Sequence, residues 1–185
     1  MRLFVAVPVT DPAREQILKL LGQLRSASWP VRWVHDEGLH MTLKFFGEVG
    51  PERLDVIAEA LRFAAADGAG ELALQLGDLG AFPSRSRPRI LWVGVQAPPA
   101  LELLQDRIER GCEAIGFPPE GAPFQPHITL GRLREGQRLP AGGLDDYAAG
   151  FDPVPFLAKE LILYESVLTT GGPRYESRMT LDFGR

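Results

Sequence analysis

Cysteine is almost absent from this chain: Cys112 stands alone among 185 residues. One thiol cannot close an intrachain disulfide or build a cysteine-rich metal centre, so the fold must rest on a hydrophobic core. Long apolar stretches are missing too. No run approaches the roughly 20 residues that a membrane-crossing helix needs. Residues 1–8 are too short for a leader and read as a strand, so no membrane association and a cytoplasmic home are expected. There is also no excess of positive charge: 20 Lys and Arg stand against 24 Asp and Glu, a net charge of −4. Coating a long duplex needs a broad basic surface. That class is excluded, while gripping one phosphate or a short strand end with a local cluster is not. Two clusters exist, Arg85, Arg87 and Arg89 in one stretch and Arg132, Arg134 and Arg138 in another. Nothing matches Gly-x-x-x-x-Gly-Lys-Ser/Thr, so dependence on ATP is not supported.

What is present is ordinary for a globular protein, with 45% hydrophobic and 24% charged residues, and the length suits one domain or two tightly joined lobes. Residues 3–9 read as a buried strand. Asp11 is placed to cap a helix with Pro12 at its first position, and Ile17, Leu20, Leu21 and Leu24 follow with helical spacing. A loop at Trp29-Pro30 leads to a strand over residues 40–46. Gly50-Pro51 starts a second helix, carried by Leu54, Ile57, Ala58 and Leu61 and ended by Asp67-Gly68-Ala69-Gly70. Leu72, Leu74 and Leu76 alternate as in a half-buried strand, and residues 90–95 form another. Pro98-Pro99 opens a third helix in which Leu101, Leu104, Ile108, Cys112 and Ile115 share a face, making Cys112 a core residue rather than a nucleophile. Pro118, Pro119 and Pro123 mark a loop before a strand at His127. Residues 134–153, rich in Gly, Pro and Asp, read as an exposed connection. Two final strands are predicted at residues 156–168 and 175–183, joined by a turn at Gly171-Gly172-Pro173.

An internal repeat runs through this pattern. A shift of 87 positions places His40-Met41-Thr42-Leu43 on His127-Ile128-Thr129-Leu130. The same shift places Arg2-Leu3-Phe4-Val5 on Arg89-Ile90-Leu91-Trp92, Pro12-Ala13 on Pro99-Ala100, and Ile17 and Leu21 on Leu104 and Ile108. Two copies of strand–helix–strand predict two similar lobes related by an approximate two-fold axis, within a single domain over residues 1–185.

The repeat carries the chemistry. Two of only three histidines lie in His-x-Thr-Leu, although the chain has just 6 threonines; by chance this is on the order of a 1 in 10,000 event. On a strand, alternation puts His40 and Thr42 on one face and Met41 and Leu43 on the other. His127 and Thr129 are separated from Ile128 and Leu130 in the same way. The apolar pair anchors the strand, the polar pair faces a cleft, and Lys44 continues the polar face. Phe46 shares that face and has the shape to stack on a base, although packing is its commoner role. If the lobes face each other, two imidazoles and two hydroxyls converge. One imidazole can take a proton from an attacking hydroxyl or water while the other protonates the departing oxygen, because histidine titrates near neutral pH. The threonines can donate to non-bridging phosphate oxygens. No metal is required, and the motifs have no third in-phase histidine and no carboxylate at i+2. His35, in a turn-like segment, reads as surface.

Paired His-x-Thr-x motifs on a duplicated α/β lobe resemble the two-histidine (2H) phosphoesterase superfamily. Within it the chain is similar to the bacterial and archaeal RNA 2′,3′-cyclic phosphodiesterases, also called 2′-5′ RNA ligases. The likeness covers nearly the whole chain. Its main segments are Leu39-His40-Met41-Thr42-Leu43-Lys44-Phe45-Phe46-Gly47-Glu48-Val49, Gly80-Ala81-Phe82-Pro83, Arg87-Pro88-Arg89-Ile90-Leu91-Trp92, Pro126-His127-Ile128-Thr129-Leu130-Gly131-Arg132, Leu163-Tyr164-Glu165-Ser166 and Gly172-Pro173-Arg174-Tyr175-Glu176. The resemblance implies an α+β, bilobal fold, with two antiparallel sheets lining a central cleft and helices outside. It implies hydrolysis of an RNA 2′,3′-cyclic phosphate to a 2′-phosphate, with His127 as proton acceptor and His40 as proton donor. Thr42, Thr129 and Arg132 would bind the phosphate. Arg132 falls on the wrong face under strict alternation, so a bulge, the flexibility of Gly131 or the reach of the side chain must bring it round. The implied partner is RNA with a cyclic phosphate terminus, tRNA fragments among the candidates, with no cofactor, metal, ATP or membrane, and a monomer is expected. Joining of tRNA halves through a 2′-5′ linkage would follow from the same acid/base logic. Two other readings stay open: a 2H enzyme acting on a small cyclic or 2′-5′-linked nucleotide, and a non-catalytic module that binds RNA ends.

Overall fold

The structure, a computed structural model, describes residues 1–66, 70–140, 142–170 and 172–182. Nine strands and four helices follow in the order β1 (Arg2–Pro8), α1 (Ala13–Ser26), β2 (Val31–Trp33), β3 (His40–Glu48), α2 (Leu54–Ala66), β4 (Leu72–Ser84), β5 (Arg87–Gln96), α3 (Pro99–Ala114), β6 (His127–Leu133), α4 (Asp145–Ala148), β7 (Pro155–Ala158), β8 (Glu160–Thr169) and β9 (Gly172–Asp182). They build two sheets, one ordered β3-β1-β8-β9 and the other β2-β6-β5-β4-β7, with every pairing antiparallel. The α+β class and the duplicated, bilobal plan read from the sequence are what the chain adopts.

The lobes are not the two sequence repeats, however. The sheet of β1 and β3 is completed by β8 and β9 from the end of the chain, and the sheet of β5 and β6 by β4 and β2 from its first half. Each half lends strands to the other. The predicted strand over residues 156–168 is accordingly two strands. β7 pairs with β4 in one sheet and β8 with β1 in the other, and the chain changes sheet at Lys159. The register refines the repeat as well. Pro8 lies opposite His40 and Gly94 opposite His127, so β1 and β5 correspond 86 positions apart while the histidines are 87 apart.

The helices bury the stripes their spacing demands: Ile17, Leu20, Leu21 and Leu24 in α1, Ile57, Ala58 and Leu61 in α2, and Leu101, Leu104, Ile108 and Cys112 in α3. They pack with Leu3, Val5 and Val7 of β1 and Leu91 and Val93 of β5 into one core, each large aliphatic side chain contributing roughly 1.5–3 kcal/mol on burial. Burial raises the Cys112 thiol to about 11, so it is an inert core group. Among the described residues no helix is long and apolar enough to cross a membrane.

Four local expectations need correction. Asp11 does not cap α1. Pro12 takes the cap position, and the backbone carbonyls of Thr10 and Pro12 accept from the N–H groups of Arg14 and Gln16, so no side-chain acceptor is needed there. The strand at Leu72 runs on to Ser84 despite Gly77, Gly80 and Pro83, because β5 pairs along most of its length; Arg85 therefore stands at a hairpin tip and Arg87 and Arg89 on a strand. Trp29-Pro30 leads into the short edge strand β2, which pairs with β6. The connection after Arg134 contains α4 and the buried Leu144. The helix-ending segment at 67–69, Gly171 of the final turn and Phe183 lie outside the described residues.

Candidate active site

His40 and His127 open β3 and β6, the strands that approach each other across the two sheets. Both rings are tethered alike. His127 Nδ1 lies 2.7 Å from the carbonyl oxygen of Gln125, and the His40 ring is hydrogen-bonded to the carbonyl of Gly38. Each partner is two residues upstream. A carbonyl only accepts, so Nδ1 of His127 carries its hydrogen and Nε2 presents a lone pair. His127 is among the charges that act on His40, so the two imidazoles occupy one site.

Both histidine strands bulge at the same place, and the bulge decides which neighbours join them. Along β3, Thr42 lies opposite Ala6 but Lys44 opposite Val5. Along β6, Thr129 lies opposite Trp92 but Gly131 opposite Leu91. Two successive residues then face the core, and alternation resumes in the opposite phase. This brings Arg132 onto the face of His127 and Thr129, as a phosphate ligand would require. Its charge reaches both His127 and Tyr175 of the opposite sheet.

The same bulge overturns the expectation for Lys44. It is turned inward, 1% exposed, where Nζ lies 2.5 Å from Glu109 Oε2 of α3 and donates to the carbonyl of Pro118 at 2.9 Å. Lys44 therefore does not continue the polar face. Phe46 is likewise in the core, with its ring edge-on to Phe117 at 5.2 Å, which is the packing role. The side chain that reaches the histidine face is Phe45, 50% exposed and 5.7 Å from Phe4.

The two rings sit in different media. Phe4, Tyr175 and Tyr164 surround His40, with ring centroids 4.8, 5.0 and 5.9 Å away. Burial among them is the main cause that lowers its pKa to about 4; the Gly38 bond opposes the shift and His127 adds to it. His127 meets Phe82 edge-on at 4.9 Å and Trp92 at 6.2 Å. Its pKa is also lowered, first by burial, with Arg132 adding to the shift and the Gln125 bond and Glu120 opposing it. Trp92 reaches its place because it lies across Gly80, where a Cβ would meet the indole at 2.2 Å. Tyr164 and Tyr175 both have raised pKa values, chiefly from burial, so their hydroxyls remain protonated donors.

Of the predicted site residues, His40, His127, Thr42, Thr129 and Arg132 share one face of β3 or β6, Lys44 and Phe46 are turned away, and His35 is exposed. The aromatic wall of Phe4, Tyr164 and Tyr175 was not foreseen. Both tyrosines lie in segments that carry the family resemblance, but no spacing links them to a histidine more than 120 residues away. Among the described residues no three His, Cys, Asp or Glu side chains converge as a metal-binding group.

A family model for LigT-like phosphoesterases matches residues 7–92 and again 93–175. The RNA 2′,3′-cyclic phosphodiesterase of Geobacillus stearothermophilus is 35% identical over 184 residues, covering 94% of this chain but 54% of that protein. The chain thus spans about half the length of that relative. The RNA 2′,3′-cyclic phosphodiesterase of Archaeoglobus fulgidus is 33% identical, with 95% of this chain and 97% of its own length covered. Among solved structures, Escherichia coli LigT complexed with 3′-AMP superposes with a TM-score of 0.75 at 27% identity, covering 100% of this chain and 98% of that one. The family model spans both halves of the chain, and each half brings one carbonyl-tethered histidine to a shared site: the chain belongs to the LigT-like phosphoesterase family.

Proposed function

We propose that the chain hydrolyses the 2′,3′-cyclic phosphate at an RNA end to a 2′-phosphomonoester by two-histidine acid/base catalysis. The observation that carries this reading is the matched pair of imidazoles, each held by a carbonyl two residues upstream, with His127 among the charges that act on His40. In the proposed step, Nε2 of His127 takes a proton from water, the water oxygen bonds to phosphorus, and the bond from phosphorus to the 3′ oxygen breaks. His40 delivers the proton that makes the departing oxygen a 3′-hydroxyl, and the phosphate stays on the 2′ oxygen. Thr42, Thr129 and Arg132 neutralise charge growing on the non-bridging oxygens.

Electrostatics supports the base role of His127. Arg132 acts on His127 and helps to keep it neutral, as a base must be. His40 is uncharged at neutral pH in the unliganded protein, because burial lowers its pKa to about 4. A bound phosphate monoanion, being of opposite charge, raises that value and so favours the charged acid in the complex. An RNA 5′-hydroxyl in place of water would give a 2′-5′ linkage by the same proton transfers. The test is to incubate the protein, in EDTA and without ATP, with an RNA ending in a 2′,3′-cyclic phosphate and to locate the product phosphate. A 2′-phosphate is expected, with kcat reduced about 10²–10⁴-fold by His40→Ala and by His127→Ala. Turnover that appears only when a divalent metal is added, or that survives both substitutions, overturns the scheme.

A further inference from the structure

The two basic stretches of the sequence include five arginines that the histidine site does not use, and four of them, Arg85, Arg87, Arg89 and Arg138, come together. The fold brings all four to the wall of one cavity of about 820 Å³, between the tip of the β4–β5 hairpin and the connection that follows β6. Leu133 and Leu144 give it an apolar floor. Arg85 pairs with Asp145 and also donates to the carbonyl of Leu79. Among the described residues, Arg87, Arg89 and Arg138 make no ion pair, and Asp145 is the cavity's one lining carboxylate. A chain of net charge −4 has therefore gathered four guanidinium groups in one hollow. A concave, partly apolar wall focuses such a field outward, and the planar guanidinium fork matches phosphate oxygens.

The cavity is not a lobe of the histidine site. Trp92 and Ile90 lie opposite Thr129 and Arg132, on the histidine face of β5. The cavity wall instead includes Ala81, which lies opposite the buried Leu91, and Leu133, which follows Arg132 along β6, so it opens on the other face of the sheet. The strand runs seven residues from Gly94, opposite His127, to Arg87, which is roughly 23 Å at 3.3 Å per residue. A mononucleotide held at the histidines cannot span that distance. A strand of several nucleotides that leaves past Arg132 and turns over the hairpin tip can.

We propose that this cavity grips backbone phosphates of the RNA whose cyclic end occupies the histidine site, so that Arg87, Arg89 and Arg138 set a preference for RNA over mononucleotides. The proposal rests on the cyclic phosphodiesterase reading. Phosphates of a free oligophosphate share the same chemistry, and the experiment separates the two sources.

The test compares wild type with Arg87→Gln/Arg89→Gln and, from the other stretch, Arg138→Gln. All three side chains are exposed, and melting midpoints check folding. Two substrates are used, 2′,3′-cyclic AMP and an RNA oligonucleotide with a 2′,3′-cyclic end. KM for the RNA is expected to rise about tenfold in the double variant. Its salt dependence should become shallower by about one unit of log–log slope per arginine, and the mononucleotide kcat/KM should not change. Equal effects on both substrates, or none on the RNA, overturn the proposal. If calorimetric binding of inorganic triphosphate is lost in the double variant while KM for RNA stays put, the cavity serves free oligophosphates instead. If wild type turns over neither substrate, the phosphodiesterase reading fails by itself. RNA binding by fluorescence anisotropy then decides the cavity alone: weaker binding by both variants supports it, and unchanged binding refutes it.

Discussion

His40 and His127 begin strands that bulge at the same step and hold their rings by the same upstream carbonyl, yet their surroundings differ. His40 is enclosed by three aromatic rings, and its pKa falls to about 4. His127 has a cation, Arg132, and a carboxylate, Glu120, acting on it in opposite senses. The residue just beyond each bulge shows the same divergence: Phe45 in the first half, Arg132 in the second. So does the residue at the bulge. Lys44 turns inward to Glu109, whereas its counterpart Gly131 admits the edge strand β2, and a Cβ there would meet Val31 at 2.6 Å and Trp33 at 2.8 Å. Duplication supplied two equal backbones; the side chains around them then diverged, and two imidazoles in unlike surroundings resulted. The proposed acid/base scheme needs one group neutral and the other charged; burial lowers both pKa values, so the charge on His40 has to come with the bound phosphate.

Three measurements break or sharpen the comparison. The largest effect is expected at Lys44. Lys44→Ala leaves Glu109 buried without its partner and should cost about 3–5 kcal/mol in urea unfolding, while Lys44→Met with Glu109→Leu should recover most of it. A loss below ~1 kcal/mol would mean that the pair behaves like a surface ion pair and does not anchor the first bulge.

The second concerns pH. His40 has a folded pKa below its ordinary value, so the unfolded chain binds the proton more readily. The stability this contributes is complete above about 6.5 and is lost as pH falls through that value towards 4, a change of roughly 3 kcal/mol. Wild type should therefore lose more stability than His40→Asn between pH 7 and pH 4. Parallel curves for the two proteins would show that the aromatic wall does not hold His40 neutral.

The smallest effect is at Arg132. Arg132→Gln removes a cation that lowers the His127 pKa, so the NMR titration midpoint of His127 should rise, and kcat/KM on a cyclic phosphate should fall about tenfold. An unmoved midpoint would separate Arg132 from the base and leave it as surface charge.

The sequence alone determined a good deal. Matching His-x-Thr-Leu tetrapeptides 87 positions apart identified both histidines and both threonines, because period-two alternation follows from strand geometry whatever the neighbours are. Helical spacing identified the buried stripes of α1, α2 and α3 and the inertness of Cys112 for the same local reason. Tertiary structure decided what depends on strand pairing. A bulge is a property of two strands together, so the inward turn of Lys44 and the outward turn of Arg132 are settled by β1 and β5, far away in sequence. The exchange of β4 and β8 between sheets, the split of the last predicted strand at Lys159, and the closing of Tyr164 and Tyr175 around His40 are likewise products of long-range pairing. Local propensity is silent about partners, and so the chemical difference between two equal histidines appeared only once the chain had folded.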